Sequence, residues 1–256
     1  MTQQQAPQEV LWQPTTRQST ALERPEFEIL YGGARGGGKT DAGLAWLMYD
    51  IGNERLRCLV IRRNADDLKD WVDRARIMYR STGAVFVGNP TEIRFPSGAI
   101  IRTGHLNDDN AYEKYQGHEY QRMLIEELTQ IAREESYLKL IASCRSTVEG
   151  LKAQVFATTN PGGVGHKWVK RRFIDVAPAT VPFTDFQSGR TRIFIPALVQ
   201  DNPHLMQRDP GYIGFLNSLP ESLRKQWKDG SWEDMTVDGS YYGELLFKAM
   251  QEGRIA

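Results

Sequence analysis

Cysteine is nearly absent from this chain, with 2 in 256 residues. Cys58 and Cys144 lie far apart in predicted elements, which argues against a disulfide framework and predicts buried free thiols in a reducing compartment. Histidine is also sparse, and His105 and His118 lack the spacing of a metal-ligating pair. Charge of neither sign prevails, since 32 Lys and Arg balance 32 Asp and Glu. The chain is no polycation, so any surface for nucleic acid must be a local patch. No apolar run approaches membrane-spanning length, and no secretory leader, internal repeat or low-complexity tract is apparent. The expectation is a soluble intracellular protein, not attached to a membrane, with a polar start over residues 1–10 that is disordered.

What is present suits one large α/β domain with a smaller attachment. Apolar residues make up 40% of the chain and aromatics 10%, enough for a substantial core. The organising stretch is YGGARGGGKT at 31–40. From Gly33 it satisfies G-x-x-x-x-G-K-[ST], with Ala34, Arg35, Gly36 and Gly37 inside the pattern and Gly38, Lys39 and Thr40 closing it. Small residues let the backbone curl so that successive N–H groups converge on phosphate oxygens. The lysine then reaches the β- and γ-phosphates, and the hydroxyl holds Mg²⁺. A Gly-rich surface linker would match by chance, but context argues otherwise. FEILY at 27–31 reads as a buried strand, and residues 41–49 read as a helix with Leu44, Leu47 and Met48 on one side. ATP and Mg²⁺ are the implied cofactors.

A second chemical signal is RMLI at 122–125 followed by Glu126 and Glu127. A hydrophobic strand ending in two acids has the form of a Walker B segment. One acid, Glu126, serves the metal, and Glu127 acts as general base on the attacking water. The usual first acid is Asp, so Glu126 raises the question of how a longer side chain meets the metal shell. QVFATT at 154–159 is a further buried strand that ends in Asn160 and Pro161. Thr158, Thr159 and Asn160 stand where polar groups sense a γ-phosphate; the competing reading is a simple strand-to-turn transition.

Other positions are less specific. Trp12 and Gln18 precede the first strand and are placed to stack on adenine and read its edge; a surface helix capped by Thr15 or Thr16 is the alternative. The apolar run 57–63 is a central parallel strand ending in Arg62 and Arg63, at the sheet end where α/β folds place ligands; solvent-exposed charge is the default. Residues 65–79 should form a helix capped by Asn64. Short strands at 84–87, 92–95 and 99–103 suggest an antiparallel excursion at one edge of a parallel sheet. A helix over 134–146 brings Arg145 near its end, either as an arginine acting across a subunit interface or as an exposed helix-terminal cation. Lys167, Lys170, Arg171 and Arg172 surround Trp168 and Phe173 as a candidate contact for DNA phosphates, against the plain alternative of a solvated face. Residues 178–188 read as loop, 191–196 as a last strand stopped by proline, 201–205 as a turn, and 212–216 and 220–227 as two short helices of a lid.

Taken in order, these segments resemble the ATPase domain of the large terminase subunit, the DNA-packaging motor of tailed bacteriophages. The resemblance rests on the Gly32–Thr40 stretch, Glu126 through Gln130, Thr158 through Pro161, and a tail containing Asp201-Asn-Pro, Tyr212, Leu216, Leu223, Arg224, Gly230 and Trp232. It implies a P-loop NTPase fold of the ASCE type: a mainly parallel sheet flanked by helices, with an antiparallel edge excursion and a small C-terminal helical lid. Residues 1–196 would be the ATPase core, 197–240 the lid and 241–256 a linker towards a nuclease domain absent from this chain.

The resemblance further implies that Arg35 touches the phosphates and that Thr159 and Asn160 couple nucleotide state to movement. Its implied partners are double-stranded DNA, a portal protein, a small terminase subunit and copies of itself in a ring, commonly a pentamer. The expected place of action is the cytoplasm of an infected bacterium, docked on the procapsid and not in the mature virion. The alternatives are another P-loop nucleic-acid ATPase or helicase, and a nucleotide-binding structural subunit that hydrolyses weakly. No nuclease activity is expected, so metal-dependent cleavage of plasmid DNA by the purified chain would contradict this assignment.

Overall fold

The computed structural model describes residues 12–108 and 110–233. Among these, nine strands form one sheet: β1 (Glu28–Gly33), β2 (Arg57–Arg62), β3 (Val85–Val87), β4 (Glu92–Arg94), β5 (Ile100–His105), β6 (Arg122–Ile125), β7 (Gln154–Thr159), β8 (Phe183–Thr184) and β9 (Thr191–Ala197). Their order is β3-β4-β5-β2-β6-β7-β1-β9-β8. The run from β5 to β9 is parallel, while β3, β4 and β8 add antiparallel edges. Parallel strands covered on both faces read as near-continuous apolar runs, which is why RCLVIR, RMLI and QVFATT look alike in sequence.

Helices α1 (Thr16–Leu22), α2 (Lys39–Trp46) and α3 (Leu68–Met78) accompany one face, and α4 (Glu134–Ile141) and α5 (His166–Val169) the other. Side chains alternate between the two cores along each strand. In β1, Ile29 and Tyr31 join Trp46 and Phe156, whereas Leu30 joins the cluster of Tyr137 and Trp168. Cys58 and Cys144 are free, buried in different clusters, and burial pushes both thiols up to about 12. No helix among the described residues is long and apolar enough to cross a membrane.

Several boundaries differ from the sequence reading, each for a local reason. The helix expected to run to 146 ends at Ile141, because the chain is drawn into extended pairing beside β6: Tyr120 N donates to Ser143 O at 3.0 Å, and Arg145 N donates to Tyr120 O at 3.1 Å. Asn64 does not cap the third helix. Its amide meets the Asp67 carboxylate at 3.2 Å, and the regular helix begins at Leu68. The expected loop at 178–188 contains β8, whose two residues pair with β9. Pro196 does not stop β9, since β8 pairs only with Thr191 and Arg192 and leaves the outer edge beside Pro196 open. The turn at 201–205 opens α6 (Pro203–Arg208), with Asn202 capping Leu205 N at 3.3 Å and Pro203 in the first turn. Helices α7 (Gly211–Ser218) and α8 (Glu221–Trp227) complete the C-terminal unit. The expected limits at 240 and 256 lie outside the described residues.

The basic segment after α5 is a correction as well. It continues as a π-helical turn, Lys170–Ile174, that brings Arg172 against β1 rather than outward. Arg172 donates to both Glu28 oxygens at 2.8 and 2.9 Å and to Glu134 at 3.1 Å, with its side chain only 10% exposed. Tyr137 O–H donates to the same Glu28 carboxylate at 2.6 Å. Arg172 is therefore a buried ion-pair partner and not a DNA contact. Arg171 faces outward with a bond to Glu134 at 2.7 Å, and Lys167 is exposed. Removing one member of a buried pair strands the other charge. Arg172→Ala is expected to cost about 3–5 kcal/mol in urea unfolding, while Lys167→Ala changes stability by less than about 0.5 kcal/mol.

Candidate active site

The cleft forms at the C-terminal ends of β1, β6 and β7, where parallel α/β sheets place ligands. β1 delivers the chain into the glycine-rich loop, and two close approaches fix its path. A side chain at Gly32 would lie 2.7 Å from the Thr159 methyl, and one at Gly33 would lie 2.6 Å from Ala197 O. Gly38 takes the left-handed conformation (φ 69°) as the N-cap of α2, which begins at Lys39. The loop's N–H groups thus lead into a helix N-terminus, the arrangement that favours anions.

Lys39 is buried, with its Nζ donating to Ala34 O at 2.6 Å. Burial lowers its pKa from 10.5 to about 8, against the opposing pull of Glu127 and Glu126 and with a further lowering by Arg35. Thr40 Oγ1 donates to Glu126 Oε2 at 3.2 Å, so the longer acid does reach the hydroxyl. Room for it comes from Gly43, one helical turn beyond Lys39, where a side chain would lie 3.2 Å from Glu126 Oε1 and 2.8 Å from Leu124. Burial pushes the Glu126 carboxyl upward, held back by the nearby Arg62 guanidinium. Its Oε1 is buried without a hydrogen-bond partner. Thr40 and Glu126 therefore offer the hard oxygen donors that suit Mg²⁺.

Glu127 adopts a left-handed conformation unusual for a non-glycine residue (φ 56°, ψ 53°). Its backbone N donates to Thr158 Oγ1 at 3.3 Å, and Asn160 Nδ2 donates to its carboxylate at 3.2 Å. Thr159 joins the same loop from β7 by accepting from Thr129 N at 3.2 Å, while Thr129 Oγ1 donates to Asn160 O at 2.9 Å. Glu127, Thr129 and the Thr-Thr-Asn turn are thus one bonded unit.

The cleft holds about 660 Å³ and is lined by Arg35, Gly36, Gly37, Gly38, Lys39, Thr40, Glu127 and Asn160, together with Arg62, Arg63 and Arg74. Arg35 is exposed, with its guanidinium stacked 3.5 Å above the Trp227 ring at the end of α8. Its backbone N donates to Trp227 O at 2.7 Å. Asn202 donates to Gly36 O at 2.8 Å, and a side chain at Gly230 would lie 2.8 Å from Ala34 N. The helical unit therefore rests directly on the phosphate loop.

Other expected site residues lie elsewhere. Gln18 is buried, with Nε2 donating to Gly38 O and Oε1 accepting from Thr15 N, both at 2.8 Å. It therefore acts as a brace for the loop in this structure while completing the cap of α1. Trp12 packs partly buried against the core beneath α1 and α2 and does not line the cleft. Arg145 follows the Tyr120–Cys144 bridge at the opposite end of β6 from the cleft, 4.0 Å from Glu119. Sequence reasoning missed Gly43, Thr129 and Trp227. The glycine inside α2 was the one visible signal, since an interior helical glycine marks a close approach.

A glycine-rich cradle between a central parallel strand and a helix, with an acidic pair two strands away, defines a P-loop NTPase fold. The chain belongs to the family described as terminase large subunit, T4likevirus-type, N-terminal, whose profile matches residues 30–249. Among solved structures it resembles the large terminase of a thermophilic bacteriophage (TM-score 0.65, 16% identity, 86% of this chain and 54% of that one). It also resembles that terminase in complex with ADP (0.64, 17%, 86% and 54%). A third likeness is the large terminase ATPase domain of Thermus phage P74-26 (0.56, 11%, 87% and 95%). The matched region thus spans about half the length of the thermophilic-phage terminase. No curated protein sequence matches this chain.

The Lys39 environment carries a stability signature. With its folded pKa at about 8 and its unfolded value near 10.5, the unfolded chain binds the extra proton between those limits. Stability should therefore rise with pH across that window, because burying the ammonium costs free energy below about 8 and the cost fades above it. Relative to Lys39→Met, the nucleotide-free parent is expected to gain about 2 kcal/mol between about pH 7 and 9.5. Parallel urea titrations of both proteins would measure it, and a constant difference would contradict the buried charge.

Proposed function

We propose that this chain is the ATP-hydrolysing part of a DNA-packaging motor, binding Mg·ATP in the cleft and driving double-stranded DNA into a procapsid. The observation that carries this reading is the convergence of Lys39, Thr40, Glu126, Glu127 and Asn160 at one end of the sheet. The phosphate loop cradles the β- and γ-phosphates, and Lys39 exchanges its bond to Ala34 O for phosphate oxygens. Thr40 and Glu126 hold Mg²⁺, which supplies positive charge for the phosphoryl oxygens. Glu127 orients a water and takes its proton as the oxygen attacks the γ-phosphorus, while the bond to the β-phosphate oxygen breaks and ADP and phosphate result.

The adenine end of the nucleotide belongs near Gln18. The residues preceding it, 13–17, line a second hollow of about 410 Å³ together with Gln200, Asp201, Pro203 and His204. Loss of the γ-phosphate alters what Asn160 and Glu127 face. Because their loop is tied to Thr158, Thr159 and Thr129, the change reaches the turn that leads to α5. Arg35 carries a parallel effect to the lid through Trp227. Lys167, Lys170 and Arg171 are the proposed DNA-facing cations. The proposed partners are a portal protein, a small terminase subunit and further copies in a ring, with a neighbouring subunit's arginine completing the site. What supports a role in a packaging motor, acting in the infected cell on the procapsid, is the family together with a likeness in fold to the bacteriophage Phi-29 viral genome packaging motor assembly (TM-score 0.51, 13% identity, 86% of this chain and 70% of that one).

Glu127→Gln separates binding from chemistry. General-base loss should lower the hydrolysis rate by at least about a hundredfold, with the affinity for a fluorescent ATP analogue unchanged. Lys39→Ala should lose that affinity. Full turnover in Glu127→Gln, or unchanged binding in Lys39→Ala, would sink the proposed mechanism.

A further inference from the structure

Among the described residues, Arg62 is the cation that pairs with the metal-binding acid of the cleft. It leaves the C-terminal end of β2, and its Nη2 lies 3.4 Å from Glu126 Oε2, the oxygen that also receives the Thr40 hydroxyl. The Glu126 carboxylate is 1% exposed and the Arg62 side chain 20%. The guanidinium thus stands at the oxygen shared with Thr40, where a divalent cation would bind. Its own anchoring is light. Nη1 donates to Asp67 O at 3.0 Å, the bond to Glu126 is long, and Nε is buried with no hydrogen-bond partner.

We propose that Arg62 is a placeholder cation for Glu126: it neutralises the buried acid until Mg·ATP arrives and then turns its guanidinium towards the phosphates. This rests on reading the cleft as a Mg·ATP site. The physical basis is competition. A buried carboxylate needs a positive partner, and a guanidinium beside it opposes a second cation at the same oxygens. Mg²⁺ entering with ATP brings phosphate oxygens that can receive the displaced donors, so no charge is stranded at any stage. Mg²⁺ alone offers Arg62 no such place. The arrangement makes metal and nucleotide bind together, and Arg62 is accordingly a positioning residue rather than a decorative surface charge.

The test is Mn²⁺ binding followed by electron paramagnetic resonance on the nucleotide-free protein. Arg62→Gln, which keeps length and polarity, should bind Mn²⁺ at least tenfold tighter than the parent. Arg62→Lys should remain close to the parent, and adding Glu126→Gln to Arg62→Gln should abolish the gain. In a separate titration with an ATP analogue, Mg²⁺ should raise nucleotide affinity more in the parent than in Arg62→Gln. Equal Mn²⁺ affinity in the parent and Arg62→Gln, with both folded by circular dichroism, would overturn the placeholder role. A gain that survives Glu126→Gln would overturn it too, by placing the metal elsewhere. Should the parent fail to bind the ATP analogue, the reading of the cleft fails, while the nucleotide-free Mn²⁺ titration still decides Arg62.

Discussion

An ammonium and a carboxyl group are buried close together at the C-terminal edge of this sheet, and much of the site follows from keeping them there. Lys39 is 8% exposed and Glu126 is 1% exposed. Each is costly to bury unless polar groups answer it. Lys39 is answered by Ala34 O, which requires the loop to curl back over the helix N-terminus. Glu126 is answered by Thr40 and Arg62, which requires β2, β6 and the first turn of α2 to meet at one level. The glycines of the loop and Gly43 in α2 permit those approaches, because side chains would collide with Ala197, Gln18, Leu124 or Glu126 itself.

The same constraint ties the cradle to the rest of the molecule. Its carbonyls at Gly36 and Gly38 receive Asn202 and Gln18, while its N–H groups at Ala34 and Arg35 donate to Ala197 and Trp227. The N-terminal helix, the last parallel strand and the C-terminal helical unit all hold the loop by its backbone. A displacement of that backbone cannot remain local, since each of these bonds must break or follow it. On the other side, Asn160 carries the Glu127 carboxylate and Thr129 carries the Asn160 carbonyl, so the acid and the turn after β7 move together.

The sheet and the phosphate cradle were legible in the sequence because their signals are short-range. Apolar runs mark parallel strands, and G-x-x-x-x-G-K-T between a strand and a helix leaves few alternatives. The acidic pair and Thr158–Asn160 were legible as strand ends. What escaped depends on contacts across long sequence separations. Arg172 looks like one cation in a basic run until β1 is placed beneath it with Glu28. Gln18 looks available until Gly38 O is seen to occupy its amide. The turn at 201–205 starts a helix because Asn202 and Pro203 cap it, and Trp227 meets Arg35 only after three helices have folded back. The Arg62–Glu126 pair spans 64 residues of chain, a distance that charge patterning along the sequence does not report.

The most direct measurement is a structure of the domain with Mg²⁺ and a slowly hydrolysed ATP analogue. Lys39 Nζ is expected to leave Ala34 O for the β- and γ-phosphate oxygens, with the metal against Thr40 and Glu126 and the Glu127 carboxylate facing the γ-phosphorus. Phosphates bound outside the Gly33–Thr40 loop, with Lys39 still on Ala34 O, would contradict the assignment of this cleft as the site of ATP hydrolysis.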